Sequence, residues 1–131
     1  AGVSFGNVLI KQVVEDLARD APGIKKFVTL SPLPGFMRWL SKERREPSMI
    51  SLTPGEWDLL SRHDDASATS KRRELTRALA AAYLLHGKTG KGRPSDPVAR
   101  FHLGNGARLE RINVDADLSE RGLASACGVM V

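Results

Sequence analysis

Apolar residues at Leu9, Ile10, Val13, Val14 and Leu17 recur at three- and four-residue steps. That spacing predicts a helix over residues 4–20 with one apolar face. Ser4 and Asn7 are its candidate caps, and Ala21-Pro22-Gly23 ends it. Between 25 and 30 the period changes. Val28 and Leu30 alternate with Phe27 and Thr29, which predicts a short strand. A second helix opens at Phe36 and runs through Leu40. Thr53-Pro54-Gly55-Glu56 has threonine at a cap, proline at the first helical position and glutamate at the third. It predicts a helix from there to about Arg62. Residues 70–86 form a longer helix with Leu75, Leu79, Ala82 and Tyr83 toward the core. A Gly/Pro/Lys loop over 87–97 leads to a short helix over 97–103. The Gly104-Asn105-Gly106 turn leads into a strand over 108–114. Residues 118–124 read as helix and 128–131 as strand. The pattern is α+β, with no internal repeat and no alternating dinucleotide-binding order.

Composition changes this picture little. At 131 residues the chain suits one small domain with a modest core. Hydrophobic content of 41% beside 27% charged residues is that of a globular chain. No apolar run has the length needed to span a bilayer. A single cysteine, Cys127, excludes an internal disulfide framework and fits a reducing compartment. It stands in an apolar context that suits a small buried hydrophobe. No His/Cys/Asp grouping has metal-ligand spacing. Net charge is +5, with basic clusters at 42–45, 71–73 and 88–93. A nucleic-acid-binding module is one reading. Glutamates within or beside the first two clusters, and few aromatics, favour solvated helix faces instead.

Candidate chemistry centres on Leu30-Ser31-Pro32-Leu33-Pro34-Gly35-Phe36. Two prolines fix backbone angles there and remove two N–H donors. Gly35 is expected to let the chain bend before Phe36. A hydroxyl held between a strand end and a helix start sits well to meet developing negative charge. An ordinary turn or cap serine is the competing reading. His102, between Phe101 and Leu103, is open to two readings as well: an acid–base group or a satisfied core histidine. His63 and His86 fall at helix ends and read as solvated or capping. A Ser–His pair also suits a hydrolase, but the Gly-x-Ser-x-Gly elbow is missing and no third carboxylate is evident by motif.

Four blocks, in order, tip the balance. They are Ser4-Phe-Gly-Asn-Val-Leu-Ile-Lys-Gln-Val-Val-Glu-Asp-Leu17, the serine turn, the stretch from Asp96 to Asn113, and the stretch from Ser119 to Val131. Together they resemble the C-terminal part of the malonyl-CoA decarboxylase family, whose serine turn reads Leu-Ser-Pro-Ile-Pro-Gly-Phe. The resemblance implies a catalytic domain with a GNAT acetyltransferase-like fold. It matches Ser31 and His102 to the family's active-site serine and histidine, and it implies malonyl-CoA as substrate, with acetyl-CoA and carbon dioxide as products. The thioester is then its own electron sink, so no organic cofactor or metal is needed. It further implies a homo-oligomer when full length; a cytoplasmic setting and no nucleic-acid or membrane partner are expected from the lone cysteine, the charge pattern and the short apolar runs. The chain is expected to be most of the catalytic domain. A preceding helical domain and a following Tyr/Arg-containing strand would be absent, leaving it marginally stable alone. An acyltransferase or other acyl-CoA-binding domain of the same fold is the alternative.

The remaining polar candidates lie around this frame. Gly87-Lys-Thr-Gly-Lys-Gly-Arg93 is not a phosphate-binding P-loop, because Ala82 stands where the pattern needs glycine and a helix precedes it. Lys88, Lys91 and Arg93 are candidates for coenzyme A phosphates, against a flexible basic surface loop. Asn105, Arg111 and Asn113 complete the candidate substrate-binding set. Arg111 and Asn113 share a strand face and equally suit a salt bridge or ladder edge. The family places tryptophan after Arg-Ile-Asn, where this chain has Val114.

Overall fold

In the computed structural model, which describes residues 2–131 and the side chains of residues 6–131, every regular element is a helix. The order is α1 (Gly2–Asp20), α2 (Phe36–Arg45), α3 (Pro54–Ser61), α4 (Thr69–His86), α5 (Pro97–Gly104) and α6 (Glu120–Ala126). The predicted helices are all present. The expected caps of α1 are corrected, since Ser4 and Asn7 both lie inside the helix.

The α+β expectation holds only in its helical part. Residues 25–30, 108–114 and 128–131 were expected as strands, but none forms a ladder among the described residues. Antiparallel bridges remain between Pro32 and Met130 and between Asn113 and Met130, with a third from Lys88 to Pro94. Ser31 and Val131 exchange both backbone hydrogen bonds at 2.8 Å. Asn113 and Met130 likewise exchange theirs, at 2.8 and 2.9 Å. So Met130–Val131 runs between two extended neighbours, with one paired position on each side. Alternating apolar residues favour extended backbone, but a strand also needs a partner along its length.

Contacts divide the chain into two compact units, one ending at Leu30 and the other spanning Ser31–Val131. In the first, α1 carries Val8, Leu9, Ile10, Val13 and Leu17 exposed to solvent. The second holds the core. Leu33 and Phe36 are fully buried there, and Leu40 nearly so. Each such side chain contributes about 1.5–3 kcal/mol by leaving water. Helix α2 packs on α4 and α6, and α3 packs on α4. The face that α4 buries is Arg72, Thr76, Leu79, Ala80 and Tyr83. Leu75 and Ala82, expected at the core, are only partly buried.

Local chemistry explains the helix ends. Thr53 Oγ1 accepts from the Glu56 N–H, and the Glu56 carboxylate accepts from the Thr53 N–H, so the expected capping box is formed. Ser119 caps α6 by accepting from the Gly122 N–H. Helix α6 ends at Cys127, whose φ of 52° is left-handed, and Gly128 follows with φ 74°. A left-handed cysteine is uncommon. Its side chain is buried in the core cluster, which holds it there.

Candidate active site

The serine turn runs directly into α2. Ser31 is held by its backbone pairing with Val131, Leu33 is fully buried, and the Phe36 N–H donates to the Leu33 carbonyl at 3.1 Å. Gly35 has φ −91°, a value any residue adopts, so the expected backbone bend does not explain it. Space does. A Cβ there would stand 2.3 Å from the Tyr83 hydroxyl oxygen.

Helix α5 carries the second group. Asp96 caps it, with Pro97 at the first helical position and His102 in the last turn. Ser31 Oγ and His102 Nε2 are 3.1 Å apart, although the residues are 71 positions apart in sequence. Ser31 is 7% exposed and His102 is half-buried. With Nε2 unprotonated, the hydroxyl donates; with Nε2 protonated, the imidazole donates to the hydroxyl oxygen. The pair can therefore pass a proton in either direction. The Phe101 ring meets the imidazole edge-on at 5.1 Å between centroids.

Asp96 is the site residue that the sequence reading overlooked. It is 2% exposed. One carboxylate oxygen accepts from the N–H groups of Val98 and Ala99, at 3.0 and 3.1 Å. The other accepts from the Gly35 N–H at 3.0 Å and the Tyr83 hydroxyl at 3.1 Å. Asp-Pro at a helix start is an N-cap signal, but the helix read over 97–103 was given no cap. The Asp96 bond to Gly35 spans 61 positions and left no trace in local pattern. Burial, and next the Asp96 carboxylate, push the Tyr83 phenol far above its ordinary range, so it stays a donor.

The other nominated residues do not converge on the pair in this way. Lys88, Lys91 and Arg93 are exposed on the loop after α4. Lys88 Nζ donates to the Leu84 carbonyl at 2.9 Å, and the Thr89 N–H donates to the Arg93 carbonyl at 2.7 Å. Asn105 is exposed and closes α5 by donating its side-chain amide to the Phe101 carbonyl at 2.8 Å. Arg111 is exposed, while Asn113 sits half-buried in its bridge to Met130. His63 departs from expectation: its Nδ1 is buried without a hydrogen-bond partner. Cys127 is buried as expected, and burial pushes its thiol upward. An open groove of about 400 Å³ lies elsewhere on the turn, lined by Pro34, Met37, Arg38, Ser41, Ala124 and Ser125.

In a small helical domain, a serine hydroxyl on a proline-fixed turn and an imidazole on a capped helix thus stand at hydrogen-bond distance, an arrangement that can exchange a proton. The sequence profile of the malonyl-CoA decarboxylase C-terminal domain matches residues 1–131, and the chain belongs to that family. It is 39% identical over 153 residues to the mitochondrial malonyl-CoA decarboxylase of Anser anser anser, covering 99% of this chain and 30% of the relative. The corresponding mouse protein is 36% identical over 165 residues, covering 99% and 31%. Among solved structures, malonyl-CoA decarboxylase from Rhodopseudomonas palustris matches with TM-score 0.87 and 48% identity over 100% of this chain and 31% of that one. The Agrobacterium vitis protein matches with TM-score 0.84 and 51% identity, over 96% and 32%. The chain thus spans about a third of the length of the relatives it matches.

Proposed function

We propose that the Ser31–His102 pair serves the decarboxylation of malonyl-CoA to acetyl-CoA and carbon dioxide. The observation that carries this reading is the 3.1 Å approach of Ser31 Oγ to His102 Nε2. In the substrate a carboxylate stands beta to a thioester carbonyl. When the carbon–carbon bond breaks, carbon dioxide leaves and the electron pair stays behind as a thioester enolate. A proton must then reach the methylene carbon. The site's tasks are to hold the carboxylate out of the thioester plane, stabilise charge on the thioester oxygen, and deliver that proton. His102 is assigned as orienting partner and proton source. Ser31 binds the carboxylate or relays the proton. Solvent reloads the imidazole, so one proton is consumed per turnover.

The finer architectural reading, a GNAT-like domain, belongs to the same proposal. It is supported by the pairing of Met130–Val131 with Ser31–Pro32 on one side and Asn113 on the other, which is the start of an antiparallel sheet. The free, buried thiol of Cys127 suits a reducing compartment, and a cytoplasmic setting is part of the same proposal. None of the described helices is long and apolar enough to cross a membrane.

The test is product analysis. The intact protein, given malonyl-CoA, should release acetyl-CoA and carbon dioxide in equal amounts. Release of malonate and the free thiol of coenzyme A instead would show a hydrolase and overturn the reading.

A further inference from the structure

We propose that Asp96 is a positioning residue, whose carboxylate ties the serine turn to the helix that carries His102 and so sets the separation at which the pair works. The inference rests on the catalytic reading of Ser31 and His102. Helix α5 buries a single residue, Ala99, in the core cluster, so the hydrogen bonds at its N-terminus carry a large share of its placement. There Asp96 spends one oxygen on the α5 cap, on Val98 and Ala99. With the other oxygen it holds Gly35, four residues after Ser31, and Tyr83 of α4. All four bonds are made inside the protein, at a residue 2% exposed. His102 lies six residues along the helix, about 9 Å from the cap at the usual rise. A small tilt at Asp96 is thus magnified at the imidazole.

An N-cap alone would need only the first oxygen. The second oxygen faces the turn, and the turn leaves room for it. Gly35 lacks the Cβ that would strike the Tyr83 hydroxyl and come within 3.3 Å of the Asp96 carboxylate. Tyr83 is itself located by its ring, which packs on Phe36 at 5.6 Å and on Trp39 at 5.3 Å between centroids. The carboxylate thereby refers both halves of the pair to the core. It touches neither Ser31 nor His102 in the hydrogen bonds above, so it acts through geometry.

The test is a double-mutant cycle in the intact protein, with malonyl-CoA as substrate and rates taken per folded molecule. Asp96→Asn keeps the shape but places an amide donor against the donors it now accepts from. It should lower kcat roughly tenfold to a hundredfold with KM unchanged, the scale of a misplaced reacting group. In a Ser31→Ala background the same change should have little further effect, because the pair it positions is already broken. A wild-type kcat in Asp96→Asn, or a loss that carries undiminished into the Ser31→Ala background, would overturn the inference while leaving a crippled Ser31→Ala to support the pair. Wild-type turnover in Ser31→Ala would overturn the catalytic reading and this inference with it. If Asp96→Asn does not fold, Tyr83→Phe decides. It removes one donor and keeps the ring, and it should lower kcat measurably in the wild-type background and not in Ser31→Ala. An unchanged kcat in Tyr83→Phe would then count against the inference.

Discussion

The serine turn with α5 and the basic loop after α4 are both polar segments that attracted attention in the sequence, and the structure treats them in opposite ways. In the first, Ser31 is buried, its histidine partner comes from far along the chain, and Asp96 makes four internal hydrogen bonds to fix the frame. In the second, Lys88, Lys91 and Arg93 are exposed, and the bonds within the loop run between close neighbours. Chemistry that depends on the placement of atoms needs the first kind of region. A diffuse attraction for an anion needs only the second.

The sharpest break in this comparison would come from His102→Ala. It should lower kcat for malonyl-CoA roughly a hundredfold or more, the usual scale for a positioned acid–base group. Its melting temperature should stay close to that of the unaltered protein, since the imidazole is only half-buried. A large loss of stability with normal turnover would make His102 a structural histidine.

The next expectation concerns what lies beneath the turn. Phe36 is fully buried and packs on Tyr83. Phe36→Ala should cost about 3–5 kcal/mol of stability, measured by denaturant unfolding of the Ser31–Val131 unit within the intact protein. A change within the range typical of exposed positions, about 0.5 kcal/mol, would show that the turn does not rest on this core.

A third expectation is one of pH. Glu43 is buried on α2. Burial alone would raise its carboxyl, but the N–H groups of Met49, Ser48 and Ile50 and the Ser48 hydroxyl outweigh it and bring the carboxyl down to about 2 from an ordinary 4.5. A depressed folded-state value means that the stabilisation is fully present above the unfolded value and is lost as pH falls. Melting temperature should therefore drop between about pH 4.5 and 2, through this group. Glu43→Gln should lower stability at neutral pH and flatten that part of the profile. An unaltered acid limb would rule Glu43 out as its source.

The smallest effects belong to the loop. Lys91→Ala and Arg93→Ala should leave stability within about 0.5 kcal/mol of the parent. If these cations meet coenzyme A phosphates, each should raise KM by no more than about fivefold, with kcat unchanged and the effect shrinking in high salt. A fall in kcat from either would move the loop into the same class as the turn.

Much of the helical framework was legible because its signals are local. The Thr53–Glu56 capping box is satisfied by atoms within a few residues, and so are the Asp96 and Ser119 caps, which the sequence reading did not name. Strand partners were not legible. Val28 and Leu30 alternate with Phe27 and Thr29, yet both are exposed and unladdered in the described residues. Alternation reports a preference for extended backbone and says nothing about what pairs with it. In the site, Ser31 was nominated by its proline-fixed turn and His102 as one of two open readings; the resemblance paired them, and nothing in the local spacing placed them together. Asp96 was passed over: no cap was assigned to the helix over 97–103, and its second carboxylate oxygen binds across 61 positions. Gly35 was noticed for the wrong reason, since the Tyr83 hydroxyl that excludes a Cβ comes from a distant helix.

The central claim, that Ser31 and His102 act as one catalytic unit on malonyl-CoA, is tested most directly by measuring kcat for the intact protein, Ser31→Ala, His102→Ala and the double variant. Each single change should cost roughly a hundredfold or more, and the double variant should be little slower than the worse single, because the partners share one task. A double variant whose loss equals the product of the two singles, or either single turning over at the parent rate, would contradict the account.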